Sequence, residues 1–244
     1  QRGNDINGEA ADDNSGYSVS LSNDGNILAI GAYANDGNGV DSGHVRVYTI
    51  FPKYIETNFT ALPDGASLAG SATLNSFGEC QLTPNINSQA GRLLFSSRSP
   101  VPTAFNAQWD YRAYGGTGAD GTSFNFGPMT DSASMDEFGM SGAILVVSLV
   151  EWQGERLELR YNGSLLQRVY LPSLSLVGDS LKRVVVDVSS TGSISISVNG
   201  NVWISDNLAG YGTAAKTGWR FGFAARTGAA DNFHCIDNLV ISAL

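Results

Sequence analysis

Sixteen aspartates, seven glutamates, two histidines and two cysteines are the residues of this 244-residue chain suited to acid–base, nucleophilic or metal chemistry. Retaining glycoside hydrolysis needs two carboxyls about 5–5.5 Å apart, most simply at alternate positions on one strand face. Glu151 and Glu155 are separated by a turn signal, Glu155 and Glu158 fall on opposite faces of one strand, and Asp136 and Glu137 are adjacent in a loop-like stretch. His44 and His234 accompany no Gly-x-Ser-x-Gly elbow, and no Gly-Lys-Ser/Thr loop cradles a phosphate. Cys80 and Cys235 lie far too widely apart for a zinc-type pair. An enzyme is not expected.

The formal charge is −9, and residues 1–48 hold seven acids against only Arg2 and Arg46. That acidic start reads either as a solvated surface or as oxygen ligands for calcium. Glu and Lys together number ten, too few to coat helices, which excludes an all-helical protein or a coiled coil. The negative balance argues against a nucleic-acid binder, and abundant Val, Leu, Ile and aromatics argue against disorder. Glycine, at 29 residues, points to many tight turns. The longest apolar run, residues 143–150, is strand-sized and far below the roughly 18 residues of a membrane span. The chain begins at Gln1 with no signal-peptide pattern, so processing or excision is expected at this end. The sequons Asn58-Phe59-Thr60 and Asn162-Gly163-Ser164 are formally glycosylatable. These features favour a secreted or cell-surface location.

The elements that must position these residues are strands. Tyr17, Val19 and Leu21 alternate with serines; Asn23-Asp24-Gly25-Asn26 is a hairpin signal; residues 27–31 and 44–48 are two further strands around a loop at 35–39. Residues 15–21, 28–32 and Ser42-Gly43-His44-Val45-Arg46-Val47-Tyr48 resemble one FG-GAP repeat of an integrin-type β-propeller. The resemblance implies a partial blade over 1–50 that needs neighbouring blades or subunits, either upstream or on another molecule. It also implies a calcium loop at Asp36, Asn38 and Asp41, although Val40 stands where another ligand is expected. Residues 51–66, with Pro52 and Pro63-Asp64-Gly65, read as a linker or edge segment.

From residue 67 onward the pattern is strand after strand. Phe105, Ala107, Trp109 and Tyr111 alternate with polar residues, as do Leu157, Leu159 and Tyr161, and Ile194, Ile196 and Val198. Residues 143–150 and 182–188 are more continuously apolar and read as central strands. About a dozen strands and no helix beyond a turn predict an antiparallel β-sandwich. Leu82-Thr83-Pro84-Asn85, Gln89-Ala90-Gly91, Gly118-Ala119-Asp120-Gly121-Thr122-Ser123-Phe124-Asn125-Phe126, residues 219–228 and His234-Cys235-Ile236-Asp237-Asn238-Leu239 resemble the concanavalin A-like superfamily, specifically L-type lectins and laminin G-like domains. The resemblance implies an all-β jelly roll over 67–244 with its first and last strands side by side, and hence a Cys80–Cys235 disulfide. It implies a sugar site at Asp120 and Gly121, a cis peptide before Asp120, and aromatic platforms at Tyr114 and Tyr211.

One departure stands out. Ser148 and Val150 occupy the positions of the Glu and Asp that hold the calcium/manganese pair of legume lectins. The glucanases of the superfamily carry a Glu-x-Asp-x-x-Glu strand, which this chain lacks. The expected function is therefore an extracellular lectin-like module for adhesion or recognition, with glycans or glycoproteins as partners. The alternative is a structural building block of an extracellular filament, sheath or matrix, polymerising with itself and with no working sugar site.

Overall fold

The computed structural model describes residues 6–22, 27–49, 53–172 and 174–244; the hairpin signal at 23–26 lies outside them. The chain divides into two compact units at residues 52/53. In the first, β1 (Ser15–Leu21), β2 (Ile27–Ala32) and β3 (His44–Thr49) form one antiparallel sheet in that order. Val19 pairs with Ile30 and Ile30 with Arg46, whereas Ala29 pairs with Ser20 and Val47. Val19 and Leu21 are thus exposed on one face while Val45 and Val47 are exposed on the other. Part of the acidic start works inside this unit. Glu9 bonds Arg46 at 2.9 Å and His44 at 3.3 Å, and buried Asp13 accepts from Asn35 at 2.7 Å.

The second unit begins with β4 (Lys53–Thr57), β5 (Ala66–Gly70), β6 (Thr73–Leu74), β7 (Cys80–Thr83), β8 (Ala90–Phe95) and β9 (Phe105–Tyr114). It continues with β10 (Gly121–Gly127), β11 (Leu145–Val150), β12 (Arg156–Tyr161), β13 (Ser164–Tyr170) and β14 (Gly178–Val188). The last four are β15 (Ser193–Val198), β16 (Asn201–Asn207), β17 (Arg220–Arg226) and β18 (Phe233–Ala243). A 3₁₀ turn at Tyr211–Thr213 is the one helical element among the described residues. The front sheet runs β13-β12-β11-β10-β17-β8-β5 and the back sheet β16-β15-β14-β9-β18-β7-β6, every pairing antiparallel.

Alternation supplies the core. Phe124 and Phe126 of β10 face Trp109 and Phe105 of β9, with Phe124 stacked on Trp109 at 5.3 Å and Phe126 on Phe221 at 4.4 Å. Asn162-Gly163 and Asn199-Gly200 take left-handed φ values of 49°/77° and 51°/79°, so each closes a two-residue hairpin that demands φ > 0 at both positions. On the outer face of the front sheet, Met129, Ala133 and Met140 from the β10–β11 loop pack on Leu94 and Ala224.

Three expectations are corrected. Residues 53–57 are a sandwich strand, not a linker: β4 pairs with β18, and Ile55 and Phe59 enter the core. The disulfide is absent, both cysteines being buried free thiols. The strands do lie side by side, but Cys80 pairs with Ile236 whereas Cys235 pairs with Gln81 and Arg112. A one-residue offset turns neighbouring side chains to opposite faces, so Cys80 joins the core while Cys235 faces the outer side with Arg112. Among the described residues the cis peptide is Ser99–Pro100, not Ala119–Asp120.

Candidate functional site

Asp120 closes the loop before β10 and is held from both sides. Its N–H donates to the Arg226 carbonyl at 3.0 Å, and its carbonyl accepts from the N–H groups of Glu151 (3.0 Å) and Trp152 (3.4 Å). Gly121 follows with φ 147°, and a Cβ on it would stand 2.3 Å from the Leu149 carbonyl oxygen, so only glycine fits.

The Asp120 side chain is 12% exposed, and its buried Oδ2 forms an ion pair with Arg226 Nε at 3.4 Å. Gly228 makes room for that oxygen, since a Cβ there would come within 2.8 Å of it. Arg226 also meets Glu137 at 3.1 Å and Asp136 at 3.7 Å. Burial raises the Asp120 carboxyl above its ordinary range, opposed by Arg226. Burial, with Asp136 and Asp120 nearby, pushes Glu137 up to about 7. Glu137 is 3% exposed and engaged with Arg226, so this carboxyl is not open to a glycosidic bond.

A buried polar cluster supports the loop from below. Tyr111 Oη and Asn232 Nδ2 donate to the Glu151 carboxylate, and His234 Nε2 lies 3.4 Å from Glu151 Oε1. Thr83 Oγ1 contacts His234 Nδ1 at 2.6 Å and donates to the Asn232 carbonyl. Asn232 Oδ1 accepts from Gly116 N–H, tying the 114–118 loop to the same cluster. Burial opposes the Glu151 charge, but His234 and the hydrogen bonds from Tyr111 and Asn232 outweigh it and hold the carboxyl below its usual range.

The two aromatic platforms do not join Asp120. Tyr211 is fully buried, tilted against Tyr161, with Lys216 Nζ 3.9 Å from its ring centre. Tyr114 stacks on Phe233 at 5.0 Å and is covered by the Arg112 guanidinium at 4.3 Å, so both ring faces are taken. The aromatic that sequence reading missed is Trp152, 48% exposed and bonded through its N–H to the Asp120 carbonyl. Its signal was position, directly after the β11 strand that pairs with β10. Beside Arg226, residues Ser88, Gln89, Ala90, Thr227 and Gly228 line a cleft of about 330 Å³, within the size range of small-ligand sites. A larger groove of about 500 Å³ runs by Glu56, Asn58 and Arg183, but there Arg183 and Asn238 already satisfy Asp110.

Comparison with solved structures gives the sandwich its relatives. The VIP36 exoplasmic/lumenal domain in its Ca2+/Man3GlcNAc-bound form superposes with TM-score 0.61 at 19% identity, covering 75% of this chain and 87% of that one. The lectin from Bauhinia forficata in complex with GalNAc gives 0.63 at 14%, covering 77% and 96%. Winged bean acidic lectin with methyl-α-D-galactose gives 0.63 at 16%, covering 76% and 94%. The sandwich has the L-type lectin fold. Residues 7–48 match the FG-GAP repeat family model, though the structure describes three strands there and not a whole blade. Comparison with curated proteins gave no match.

The lectin fold brings the question of calcium, which takes six to eight oxygen ligands. On β11, Ser148 offers one buried hydroxyl without a partner and Val150 none, so this strand does not fit the legume metal pair. Among the described residues no three His, Cys, Asp or Glu side chains converge on a metal position. In the first unit Asp36 Oδ1 accepts the Asp41 N–H at 2.8 Å, which closes the loop on itself; both residues and Asn38 are exposed.

Proposed function

We propose that the sandwich is a carbohydrate-binding module that takes a neutral sugar at the Asp120 end of its front sheet. Asp120 carries the reading: a carboxylate still 12% exposed at one end of a lectin-fold sheet, with Arg226 Nε 3.4 Å from its buried Oδ2. The exposed part of that charged carboxylate can accept hydrogen bonds from sugar hydroxyls, and Arg226 holds it in place. Gly121 lets the backbone pass, and the exposed Trp152 ring offers an apolar face to sugar C–H groups. The mannose-, GalNAc- and galactose-bound relatives support a hexose or N-acetylhexosamine. The FG-GAP match and the exposed asparagines Asn58 and Asn162 support an extracellular or cell-surface setting, with glycoproteins as partners in adhesion or recognition. Calcium at Asp36, Asn38 and Asp41 is a separate proposal, tested by calorimetric titration of the ion.

A glycan array read at millimolar calcium, followed by calorimetry on the hits, tests the sugar site. Binding should fall at least tenfold in Asp120→Asn with the melting temperature kept. An array with no hit, or an unaffected Asp120→Asn, overturns the reading. One observation favours a second role: the first unit exposes Val19 and Leu21 on one sheet face and Val45 and Val47 on the other, surfaces suited to assembly into a filament or sheath. Electron microscopy of the purified protein checks this, discrete particles counting against it.

A further inference from the structure

Trp152 faces two ways. Its N–H reaches the Asp120 carbonyl, and its own carbonyl accepts from Arg156 at 2.6 Å. Arg156 opens a cluster on the outer face of β12 and β13. Glu158, fully buried, is met by Arg156 Nε at 2.9 Å, Arg160 at 2.7 Å and Arg168 Nε at 2.8 Å. Burial opposes the Glu158 charge, but the three arginines outweigh it and hold the carboxyl below its usual range. One negative charge is thus shared among three guanidinium groups, leaving two positive charges in excess. Arg160 Nε is buried without a hydrogen-bond partner, its guanidinium lies over the Phe138 ring at 5.1 Å, and Arg168 is 41% exposed. Arg160 and Arg168, 24% and 41% exposed, bring that excess of positive charge to the surface, where an anion can meet it.

We propose that Arg160 and Arg168, with Arg156 holding Glu158 behind them, form a site for a sulfate group carried on a saccharide. Register sets its relation to Asp120. Gly121 pairs with Val150 and Val150 with Arg156, two strand spacings or about 10 Å. Arg168 lies one strand further, opposite Glu158, so a ligand joining the two sites spans several sugar residues. The exposed Trp152 stands between them. The combined ligand is a glycan whose sugar ring sits at Asp120 and whose acidic substituent reaches the arginines. This extension rests on the sugar-site reading above; the anion site itself does not.

Calorimetry on the full chain separates the two. The probes are sodium sulfate, a chondroitin 4-sulfate hexasaccharide and its desulfated counterpart. The variants are Arg168→Gln and Arg160→Gln, with Arg183→Gln on the back sheet as the control of equal charge. The sulfated hexasaccharide should bind at least tenfold tighter than the desulfated one, and Arg168→Gln should abolish that preference while Arg183→Gln keeps it. Arg168 is the more exposed of the two, so its variant stays informative if Arg160→Gln fails to fold. Equal affinity for the two hexasaccharides, or equal loss in Arg168→Gln and Arg183→Gln, overturns the anion site. Arg168-dependent binding of sodium sulfate with neither hexasaccharide bound supports the anion site and overturns the glycan reading.

Discussion

Glu137→Gln gives a direct test of how charge is arranged beside Asp120. Glu137 is almost wholly buried, sees Asp136 and Asp120, and has Arg226 Nε 3.1 Å away as its cation. Burial and the neighbouring carboxylates prevail over Arg226, so its carboxyl rises from the ordinary 4.5 to about 7. A carboxyl raised in the folded state contributes stability that is complete below the unfolded value and lost as pH climbs through the folded one. With 1.36 kcal/mol per pH unit, the wild type loses about 1.4 kcal/mol by pH 5.5 and about 3 kcal/mol by pH 8.5. Glutamine keeps the shape and cannot ionise. Urea unfolding of both proteins from pH 4 to 8.5 at constant ionic strength should therefore show stability curves that separate with rising pH, the variant gaining by about 3 kcal/mol relative to its position at pH 4. Parallel curves would refute the placement of Glu137 in a low-polarity, anion-rich site.

Gly121→Ala should cost on the order of 2–4 kcal/mol in urea unfolding, because its Cβ would collide with the Leu149 carbonyl; a loss under about 0.5 kcal/mol contradicts this. Neither thiol should react with Ellman's reagent in the native state, since burial pushes the Cys80 thiol up to about 12 and Cys235 higher still; two should react in denaturant, and a reductant should leave the melting temperature unchanged. Glu151 has its carboxyl depressed in the folded state, so its contribution is present above about 4.5 and lost as pH falls through the lower folded value. Melting temperatures measured from pH 5 to 3 should fall in the wild type and fall less in Glu151→Gln, which itself should be less stable at pH 7 by about 3 kcal/mol. Expression through a eukaryotic secretory pathway should attach glycans at Asn58 and Asn162, both exposed, read as a mass loss after amidase treatment.

The sandwich was legible because local signals agreed. Phe105 to Tyr111 alternate as a half-buried strand must, whereas the Asn-Gly hairpins at 162 and 199 were not picked out as turns. Strand β4 was legible only as a linker or edge segment: five residues between prolines place a single side chain, Ile55, in the core, too short a pattern to fix a strand. Asp120 and Gly121 were singled out by motif, but the side chains around them were not. Arg226 lies on β17 and Glu137 in the β10–β11 loop, and only the assembled front sheet brings them to one carboxylate. Tyr114 shows the limit of proximity in sequence. Parity along β9 puts it with Arg112 on the outer face of the back sheet, where Phe233 and Arg112 enclose it. The cysteines failed on register: adjacent strands were foreseeable, the one-residue offset was not.

What replaces metal ligands on β11 is a set of internal charges. Ser148 and Val150 cannot hold an ion pair of the legume type, yet the Asp120 loop is still fixed in place. Its carbonyl is gripped by the N–H groups of Glu151 and Trp152, Glu151 is anchored by Tyr111, Asn232 and His234, and Asn232 in turn holds Gly116. Arg226 supplies the positive charge beside the Asp120 carboxylate, and the Glu158 arginines supply it one turn of chain beyond Trp152. A covalently tethered guanidinium cannot dissociate, so its position depends on packing and on the ionisation of its carboxylate neighbours. Glu137 is the neighbour whose carboxyl is raised to about 7, so the charge beside Asp120 changes with pH near neutrality.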